Sequence, residues 1–366
     1  KLSGVWIVAY TTIDKPTDYF NTVLWTGNGS SPRTITGVGF DPDWIWGKRR
    51  DDAAGHNLFD RVRGAGNDKT LQSNGNGVEG SGLPGTYGYI SAFATDGFTV
   101  TEGSTDNAYW NNNTATYVAW NWLAGGSPSS NSNGSITSSV SANTTAGFSI
   151  VSYTGTGSSA TVGHGLGVKP SAIIIKTRVS SGNWVTYFGT RGATKYLELN
   201  NAAKEGTSTA AFNDTEPTSS VFTVNTWSNT NDSGNGMIAY CFADIKGYSK
   251  FGEYVGNGNA DGTFVYTGFR PAWIMVKNAT HSSGSKHWGI QDIKRETSNT
   301  GYGTQIDADD TYAEFRQTNR AIDFLSNGFK IRSSDSDHNT SGDTYIYFAF
   351  AKFPFVTSTG IPTTAR

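Results

Sequence analysis

The sequence predicts an all-β protein made of three tandem β-sandwich domains of jelly-roll-like design. The chain of 366 residues contains 45 glycines and 10 prolines, two residue types that disfavour the interior of helices. Aromatic residues make up 13% of the chain and the net charge is −2, whereas disordered chains are poor in aromatic residues and highly charged. Short strand-like blocks recur three times in the same order, which indicates three copies of one unit.

The first recurring block joins a glycine, a proline three residues further on and a lysine six residues after the proline. Its copies are GFDPDWIWGK at 39–48, GVKPSAIIIK at 167–176 and GFRPAWIMVK at 268–277. The proline precedes a predicted strand, where its missing N–H deprives the sheet of no hydrogen bond. The run AIIIK in the second copy is apolar without alternation, as expected of a strand covered on both faces.

Three further blocks recur around this one. An opening strand precedes it, a strand with the pattern of DGFTV follows it, and an aromatic strand closes each unit. Alternation places Trp120 and Trp122 on one face of the first closing strand and Ala119 on the other. We also expect Leu58, Trp184 and Trp288 to point inward. The blocks begin at Phe20, Phe148 and Phe251 (opening), at Asp96, Ser220 and Asn327 (following), and at Tyr117, Met237 and Tyr345 (closing).

The positions of these blocks predict the domain boundaries. The Ser-, Asn- and Gly-rich composition of the segment between the first two domains is typical of a linker, so we expect the first domain to pivot. The second and third domains follow each other after a short turn and are expected to pack in a fixed relation. The predicted segments are a lead-in at 1–19, domains at 20–126, 146–247 and 248–353, a linker at 127–145 and a C-terminal tail at 354–366.

Composition also limits the classes of function. With a net charge of −2 and no clustering of Lys and Arg, the chain lacks the basic surface that nucleic-acid binding needs. No run of 18 apolar residues occurs, so we expect no membrane insertion through a helix. Because Cys241 is the only cysteine, no disulfide can form within the chain.

Several motifs suggest chemistry but lack part of what that chemistry requires. GNGVEG at 75–80 has the spacing of a dinucleotide-binding loop without the flanking strand and helix, so we interpret it as a flexible loop. Asp335, Asp337 and Asn339 are spaced like calcium ligands, but the twelfth position of such a loop is Ile346 instead of Glu. We interpret them as turn residues, together with the acidic cluster Asp307, Asp309 and Asp310. We predict no catalytic residue, no metal and no cofactor.

Acidic and basic residues fall at similar places in the three units. Asp60 and Arg63 stand in the first unit, Arg191 in the second, and Asp292 and Arg295 in the third. A repeated pair within a scaffold is expected to be a structural ion pair.

Parts of the sequence resemble a known family. The segments 134–176 and 39–64, together with the ending FVTSTGIPTTAR at 355–366, resemble repeats of tail and fibre proteins on the virion surface of tailed bacteriophages. The resemblance extends over roughly residues 20–366. It implies a structural protein located on the virion surface or outside the cell. The partners that it implies are copies of the chain itself and other virion proteins.

The candidate binding residues are Trp110, Asn111, Asn112 and Asn113. An exposed indole face and amide groups suit a host cell-surface glycan, and loops held by a rigid scaffold are frequent recognition sites. Two alternatives remain for this segment, since Asn favours turns and Trp110 could belong to the core. We expect a non-enzymatic structural and adhesive protein. The alternatives are a glycan-degrading enzyme of the virion and a self-assembling extracellular fibre subunit.

Overall fold

The computed structural model describes residues 10–281 and 286–354, and the structural statements below refer to these residues. Their regular structure consists almost entirely of antiparallel β-strands, which confirms the all-β prediction. Helices in this part of the chain are single turns. They are the 3₁₀ turns Pro16–Asp18 and Thr318–Arg320 and the short helices α1 (Pro84–Tyr87), α2 (Thr209–Phe212) and α3 (Ser228–Asn231).

The first unit has a four-stranded sheet with the strand order β1-β7-β3-β4 and a three-stranded sheet with the order β2-β6-β5. Its strands are β1 (Phe20–Thr26), β2 (Arg33–Thr36), β3 (Trp44–Arg49), β4 (Asn57–Asp60), β5 (Tyr89–Ala94), β6 (Gly97–Thr101) and β7 (Thr116–Trp122).

The second unit has an eight-stranded sheet with the order β15-β14-β13-β12-β17-β10-β9-β8 and a two-stranded sheet formed by β11 and β16. Its strands are β8 (Ser129–Asn131), β9 (Ser138–Asn143), β10 (Phe148–Thr154), β11 (Ala160–Gly163), β12 (Ala172–Thr177), β13 (Val185–Phe188), β14 (Lys195–Glu198), β15 (Gly206–Thr207), β16 (Val221–Val224) and β17 (Gly236–Phe242).

The third unit has a six-stranded sheet with the order β18-β26-β20-β21-β22-β23 and a three-stranded sheet with the order β19-β25-β24. Its strands are β18 (Ser249–Val255), β19 (Phe264–Tyr266), β20 (Phe269–Asn278), β21 (Gly289–Asp292), β22 (Gly303–Asp307), β23 (Phe315–Gln317), β24 (Ile322–Leu325), β25 (Gly328–Ile331) and β26 (Thr344–Pro354).

The pairing of strands is nested in the same way in each unit. The opening strand pairs with the closing strand in the large sheet (β1 with β7, β10 with β17, β18 with β26). The next strand pairs with the block predicted from DGFTV in the small sheet (β2 with β6, β11 with β16, β19 with β25). Nested pairing across two facing sheets is the feature that these units share with jelly rolls.

Strand register corrects one equivalence drawn from the sequence. Phe20 and Phe148 lie opposite the last residue of their closing strands, Trp122 and Phe242. In the third unit the matching residue, Phe350, lies opposite Ser249. The third opening strand therefore begins two residues before Phe251. Ser249, and not Phe251, is the residue equivalent to Phe20 and Phe148.

The segment predicted as a linker, residues 127–145, is instead part of the second unit. It supplies β8 and β9, and β9 pairs with β10 along the edge of the large sheet. Serine suits this edge in two ways. Ser129 and Ser130 of β8 are exposed, whereas Ser138 of β9 is buried and its hydroxyl donates to the Gly163 carbonyl at 2.8 Å. Composition alone could not distinguish a polar edge strand from a linker.

Each large sheet is buried on both faces. One face packs on the small sheet of its own unit. In the first unit, Ile45 and Ala119 of the large sheet lie in one core with Phe98 of the small sheet. The other face joins a central cluster that all three units share, so the first unit is not free to pivot. Alternation determines this division, because Trp120 and Trp122 point to the cluster while Ala119 points to the unit's own core.

The central cluster is mostly aromatic. Trp44 stacks on Tyr240 with ring centroids 4.4 Å apart, and Phe20 stacks on Phe350 at 5.0 Å, which joins the beginning and the end of the described chain. Leu58, Trp184 and Trp288 also lie in it, as expected. Because each large aromatic side chain buries about 150–250 Å², this cluster holds the three units together. Its other tryptophans are Trp46, Trp120, Trp122 and Trp273.

The described residues leave parts of two predicted segments out. Residues 1–9 of the lead-in and 355–366 of the C-terminal tail lie outside them, and so does the ending that resembles phage tail proteins.

Candidate functional site

The buried lysine of the first recurring block bridges two units. Lys176 of the second unit is fully buried, and its Nζ donates to the Thr177 carbonyl at 2.7 Å and to the Asn76 carbonyl of the first unit at 3.4 Å. Burial lowers its pKa to about 8. The lysine that stands six residues after the proline of the motif therefore forms a contact between units, and its amino group is not accessible to a substrate.

The same contact closes a ring. Lys48 of the first unit donates to the Thr311 carbonyl of the third at 3.3 Å, and Lys277 of the third donates to the Ala202 carbonyl of the second at 2.9 Å. Burial lowers the pKa of both lysines to about 8. Unit one thus reaches unit three, unit two reaches unit one and unit three reaches unit two. Such head-to-tail contacts close a ring when the rotation is a third of a turn.

A second position repeats this ring. Trp184 Nε1 donates to the Gln72 carbonyl at 2.9 Å, and Trp288 Nε1 donates to the Glu198 carbonyl at 3.0 Å. In the first unit the same register position holds His56, whose Nε2 lies 3.0 Å from the Asp307 carbonyl. The partner residue lies in the neighbouring unit each time.

His56 is a neutral structural residue. Trp46 Nε1 donates to its Nδ1 at 2.8 Å, so Nε2 carries the proton and donates to the Asp307 carbonyl. Burial lowers the pKa of His56 well below its usual value. It is therefore unsuited to act as a general base toward a ligand, because both of its nitrogens are occupied.

The repeated acid–base element lies at the same junctions, and the expected structural ion pair is found there. Arg63 Nε lies 2.5 Å from Asp60 Oδ2, both side chains are fully buried, and the Tyr240 hydroxyl of the second unit donates to Asp60 Oδ2 at 2.8 Å. The raised pKa of Tyr240, caused mainly by burial, keeps this hydroxyl protonated.

Its counterpart in the third unit pairs with a different donor. Asp292 accepts from Arg295 Nε at 2.6 Å and from Trp120 Nε1 of the first unit at 3.0 Å. The Arg295 guanidinium also lies over the Trp120 ring, 5.3 Å from its centroid. At the third junction Phe188 occupies the register position of the aspartates and packs edge-on against Phe348 at 5.3 Å.

The loop that resembles a dinucleotide-binding motif, 75–80, belongs to the junction of the first two units. The backbone N–H of Glu79 donates to the Arg178 carbonyl at 2.8 Å. The Glu79 carboxylate lies between Arg63 at 3.4 Å and Arg178 at 2.5 Å. Its glycines therefore serve a loop that docks on the second unit.

The residues predicted to bind a glycan are partly buried. Trp110 is 0% exposed and packs within the core of the first unit, so no sugar can stack on its ring. This corrects the expectation of an exposed indole. Asn111 is also 0% exposed, whereas Asn112 is half-buried and Asn113 is exposed. For Asn112 and Asn113, glycan contact stays a prediction.

Asn111 instead fastens the loop that follows the opening strand. Its Oδ1 accepts from the backbone N–H of Asn28 at 3.1 Å. Asn231 and Asn339 make the same bond to Thr156 at 2.7 Å and to Asn257 at 2.9 Å. All three stand six residues before the start of the closing block, a recurrence that could have been read from the sequence.

The glycine after the opening strand is required by the same close approach. A Cβ on Gly27 would lie 1.9 Å from the Asn112 carbonyl oxygen, and one on Gly155 or Gly256 would lie 2.2 Å from a backbone oxygen. This explains why each opening block ends in glycine.

The acidic loops are occupied by protein groups. Arg320 pairs with both Asp335 and Asp337. Asp309 accepts a hydrogen bond from His287 Nδ1 at 3.0 Å, and this bond raises the pKa of His287 to about 9. In the described part of the chain, no group of three or more His, Cys, Asp or Glu is arranged to hold a metal ion.

Open space occurs mainly where the chain passes between units. A cavity of about 510 Å³ adjoins the turn from the second unit to the third, and one of about 290 Å³ lies beside it. Asp244 and Lys250 line both. A cavity of about 370 Å³ follows the first closing strand, between Asp41 and Asn143.

The described residues thus form an all-β ring of three units, and the recurring ionisable groups lie at the junctions between them. Residues 15–354 match the family described as Domain of unknown function (DUF7483), and the chain belongs to this family. No curated protein matches the chain. No helix in residues 10–281 and 286–354 is long and apolar enough to cross a membrane.

Proposed function

We propose that this protein is a non-enzymatic structural and adhesive protein of the virion surface of a tailed bacteriophage, of the tail-fibre or head-decoration type. Its partners are copies of itself, other virion proteins and a host cell-surface glycan. The observation that carries the proposal is the use of the recurring ionisable residues. Lys48, Lys176, Lys277, Asp60 and Asp292 all fasten one unit to the next.

This use of charge suits a particle exposed to harsh surroundings. The chain has one cysteine and so gains no stability from an internal disulfide. Instead of a disulfide, a shared aromatic cluster and buried polar contacts stabilise the ring of three units. The resemblance of segments 39–64 and 134–176 to phage tail and fibre repeats supports the location.

The enzymatic alternative has one pair of carboxylates to consider. Burial raises the pKa of Asp307 to about 6, and Asp309 lies nearby on the same turn. A glycosidase needs two carboxyl groups that face a bound sugar. Asp307 is 8% exposed, the Asp309 side chain is 1% exposed, and neither lines the cavities described above.

The location is tested by electron microscopy of phage particles labelled with gold-conjugated antibodies against the purified protein. We expect labelling at regular positions on intact virions. Labelling of free extracellular filaments without virions would instead favour the self-assembling fibre subunit.

The absence of catalysis is tested separately. Purified protein is incubated with polysaccharide from the host, and new reducing ends are measured. We expect none above the level of a heat-denatured sample. Release that is lost in the Asp307→Asn variant would overturn the non-enzymatic part of the proposal.

A further inference from the structure

The three units provide internal controls for one another, because a feature that the fold requires should occur in all of them. The edge strand β19 of the third unit breaks this pattern. Its outward residues, Phe264 and Tyr266, are 43% and 57% exposed, while Val265 between them is buried. Two large aromatic side chains thus stand on the outer face of a small sheet.

The equivalent strands carry small residues at these positions. Val265 lies opposite Phe329, as Ile35 lies opposite Phe98 and Val162 opposite Phe222. This register matches Phe264 with Thr34 and Thr161, and Tyr266 with Thr36 and Gly163. The first two units therefore form the same sandwich without aromatic residues at these positions.

Tyr266 forms one wall of the 510 Å³ cavity. Tyr10 forms another, and its hydroxyl donates to the Gly268 carbonyl at 2.9 Å. Gly268 has a φ of +82°, and a Cβ there would lie 2.8 Å from the Tyr10 oxygen, so only glycine allows this approach. The cavity volume falls within the about 300–1,000 Å³ that is usual for small-ligand pockets.

The charged residues of the cavity are mainly basic. Lys246 lies over the Tyr10 ring at 4.2 Å from its centroid, and Lys250 pairs with Asp244. Among the described residues, Lys246 has no carboxylate within ion-pair distance. Its ammonium group therefore contacts the Tyr10 ring and retains its positive charge at the cavity.

We propose that this cavity, lined by Tyr10, Lys246, Lys250 and Tyr266, binds an anionic saccharide. The inference deepens the proposed function, since it gives the adhesive role a site and a class of ligand. The exposed Tyr266 ring offers an apolar face to the C–H groups of a sugar, while Tyr10 holds Lys246 at the rim of the cavity. The Asp244 carboxylate, which is 33% exposed and pairs with Lys250, supplies acceptors for sugar hydroxyls.

The charge of the ligand follows from Lys246. A lysine ammonium acts as a point charge with three donors, and it attracts carboxylate or sulfate groups. Burial, together with the neighbouring Tyr266 hydroxyl, raises the pKa of Tyr10 to about 12, so this phenol stays protonated at neutral pH and does not repel an anion. Phe264, next along the same face of β19, extends the apolar surface for a second sugar ring.

The test is isothermal titration calorimetry of the full chain with a panel of oligosaccharides of three to five sugars. Half of the panel carries uronic acid or sulfate groups, and half is neutral and matched in length. We expect binding to members of the anionic half that weakens as salt is raised, because partly exposed charges are screened.

Two substitutions locate the site. Tyr266→Ala is expected to weaken binding about tenfold through loss of the stacking surface. Lys246→Ala is expected to weaken binding of the anionic members and to remove most of the salt dependence. The matched controls are Tyr312→Ala, at a tyrosine that is 63% exposed and lies outside the cavity, and Lys204→Ala, at an exposed lysine. Thermal melting verifies that each variant is folded.

The experiments distinguish failure of the saccharide site from failure of the proposed function. If no panel member binds, or if neither cavity variant weakens binding, the saccharide site is wrong even where antibodies label the virion. Equal binding of neutral and anionic members would overturn the anionic class. Binding by a protein that is absent from virions would retain this site and remove the virion role.

Discussion

The junction between the first and second units and the junction between the second and third solve one packing problem with different chemistry. At the former, Asp60 pairs with Arg63 and accepts a hydrogen bond from Tyr240 across the boundary. At the latter, Phe188 occupies the register position of Asp60 and meets Phe348. Both residues are buried, and each is the last residue of the strand that pairs with the first recurring block, β4 in the first unit and β13 in the second.

The difference shows that the ring needs this position filled and does not need it charged. Burying an ion pair removes two charges from water, and the attraction between them about balances that cost. An aromatic pair stabilises the boundary by burial alone. The two chemistries should therefore differ less in the stability of the intact junction than in how each responds when one partner is removed.

The largest effect is expected from breaking the charged junction on one side. Asp60→Ala leaves the fully buried Arg63 guanidinium without its nearest carboxylate, with only Glu79 at 3.4 Å, and it also removes the acceptor of the Tyr240 hydroxyl. We expect the free energy of unfolding to fall by about 3–5 kcal/mol. Denaturant unfolding followed by tryptophan fluorescence measures this change.

The matched control removes both charges. Asp60→Ala combined with Arg63→Met leaves no unpaired charge, so it should recover part of the loss. A double variant less stable than Asp60→Ala alone would show that the arginine contributes through its other bonds, to the Leu58 and Lys69 carbonyls.

A smaller effect is expected at the aromatic junction. Phe188→Ala opens a cavity against Phe348 but leaves no charge unpaired, so we expect a loss of about 3 kcal/mol. Phe188→Leu, which keeps most of the volume, should cost about 1 kcal/mol. The loss should not change between low and high salt, and a clear salt dependence would contradict the assignment of an apolar contact.

The smallest change in stability is expected from the buried lysines, one of which lies at each of the three junctions. The pKa of Lys176 is lowered to about 8 in the folded protein, whereas in the unfolded chain it is about 10.4. Between these values the unfolded state binds more protons, so stability rises with pH. Lys176→Met should therefore remove about 1–2 kcal/mol of the rise between pH 8 and 9.5.

Denaturant unfolding of both proteins at several pH values measures this difference. Lys204→Met, at an exposed lysine, is the control and should leave the pH dependence unchanged. An unchanged dependence in Lys176→Met would show that the buried ammonium does not titrate in this range.

The comparison also marks what the sequence could predict. Recurring blocks and alternation correctly indicated the all-β class, the strands that follow Pro42 and Pro170, and the structural pairing of Asp60 with Arg63. Pro271 was expected to precede its strand but lies within β20, where the strand pairing shifts register, so the missing N–H falls at an irregular part of the ladder. The patterns could not show that the alternating Trp120 and Trp122 face other units, because alternation gives two faces and does not say what covers each. That decision depends on contacts between residues far apart in sequence, such as Phe20 and Phe350.

The candidate site was harder to predict for a related reason. Trp110 stood in a run of asparagines that suggested an exposed loop, yet Asn111 is the residue that turns inward to fasten the neighbouring loop. The sequence pattern does not point to Lys246 or Tyr266 as binding residues, because neither belongs to a recurring block. Comparison of equivalent positions in the three units supplied the missing signal.

The stacking of Phe20 on Phe350 has a consequence for the order of events during synthesis. The ribosome releases the first unit early, but the aromatic face of its large sheet lacks part of its covering until β26 (Thr344–Pro354) has emerged. A nascent chain that is complete up to the third unit therefore carries an open tryptophan-rich surface, of the kind that leads to aggregation. The ring is therefore completed late, and we expect chains terminated before residue 344 to aggregate.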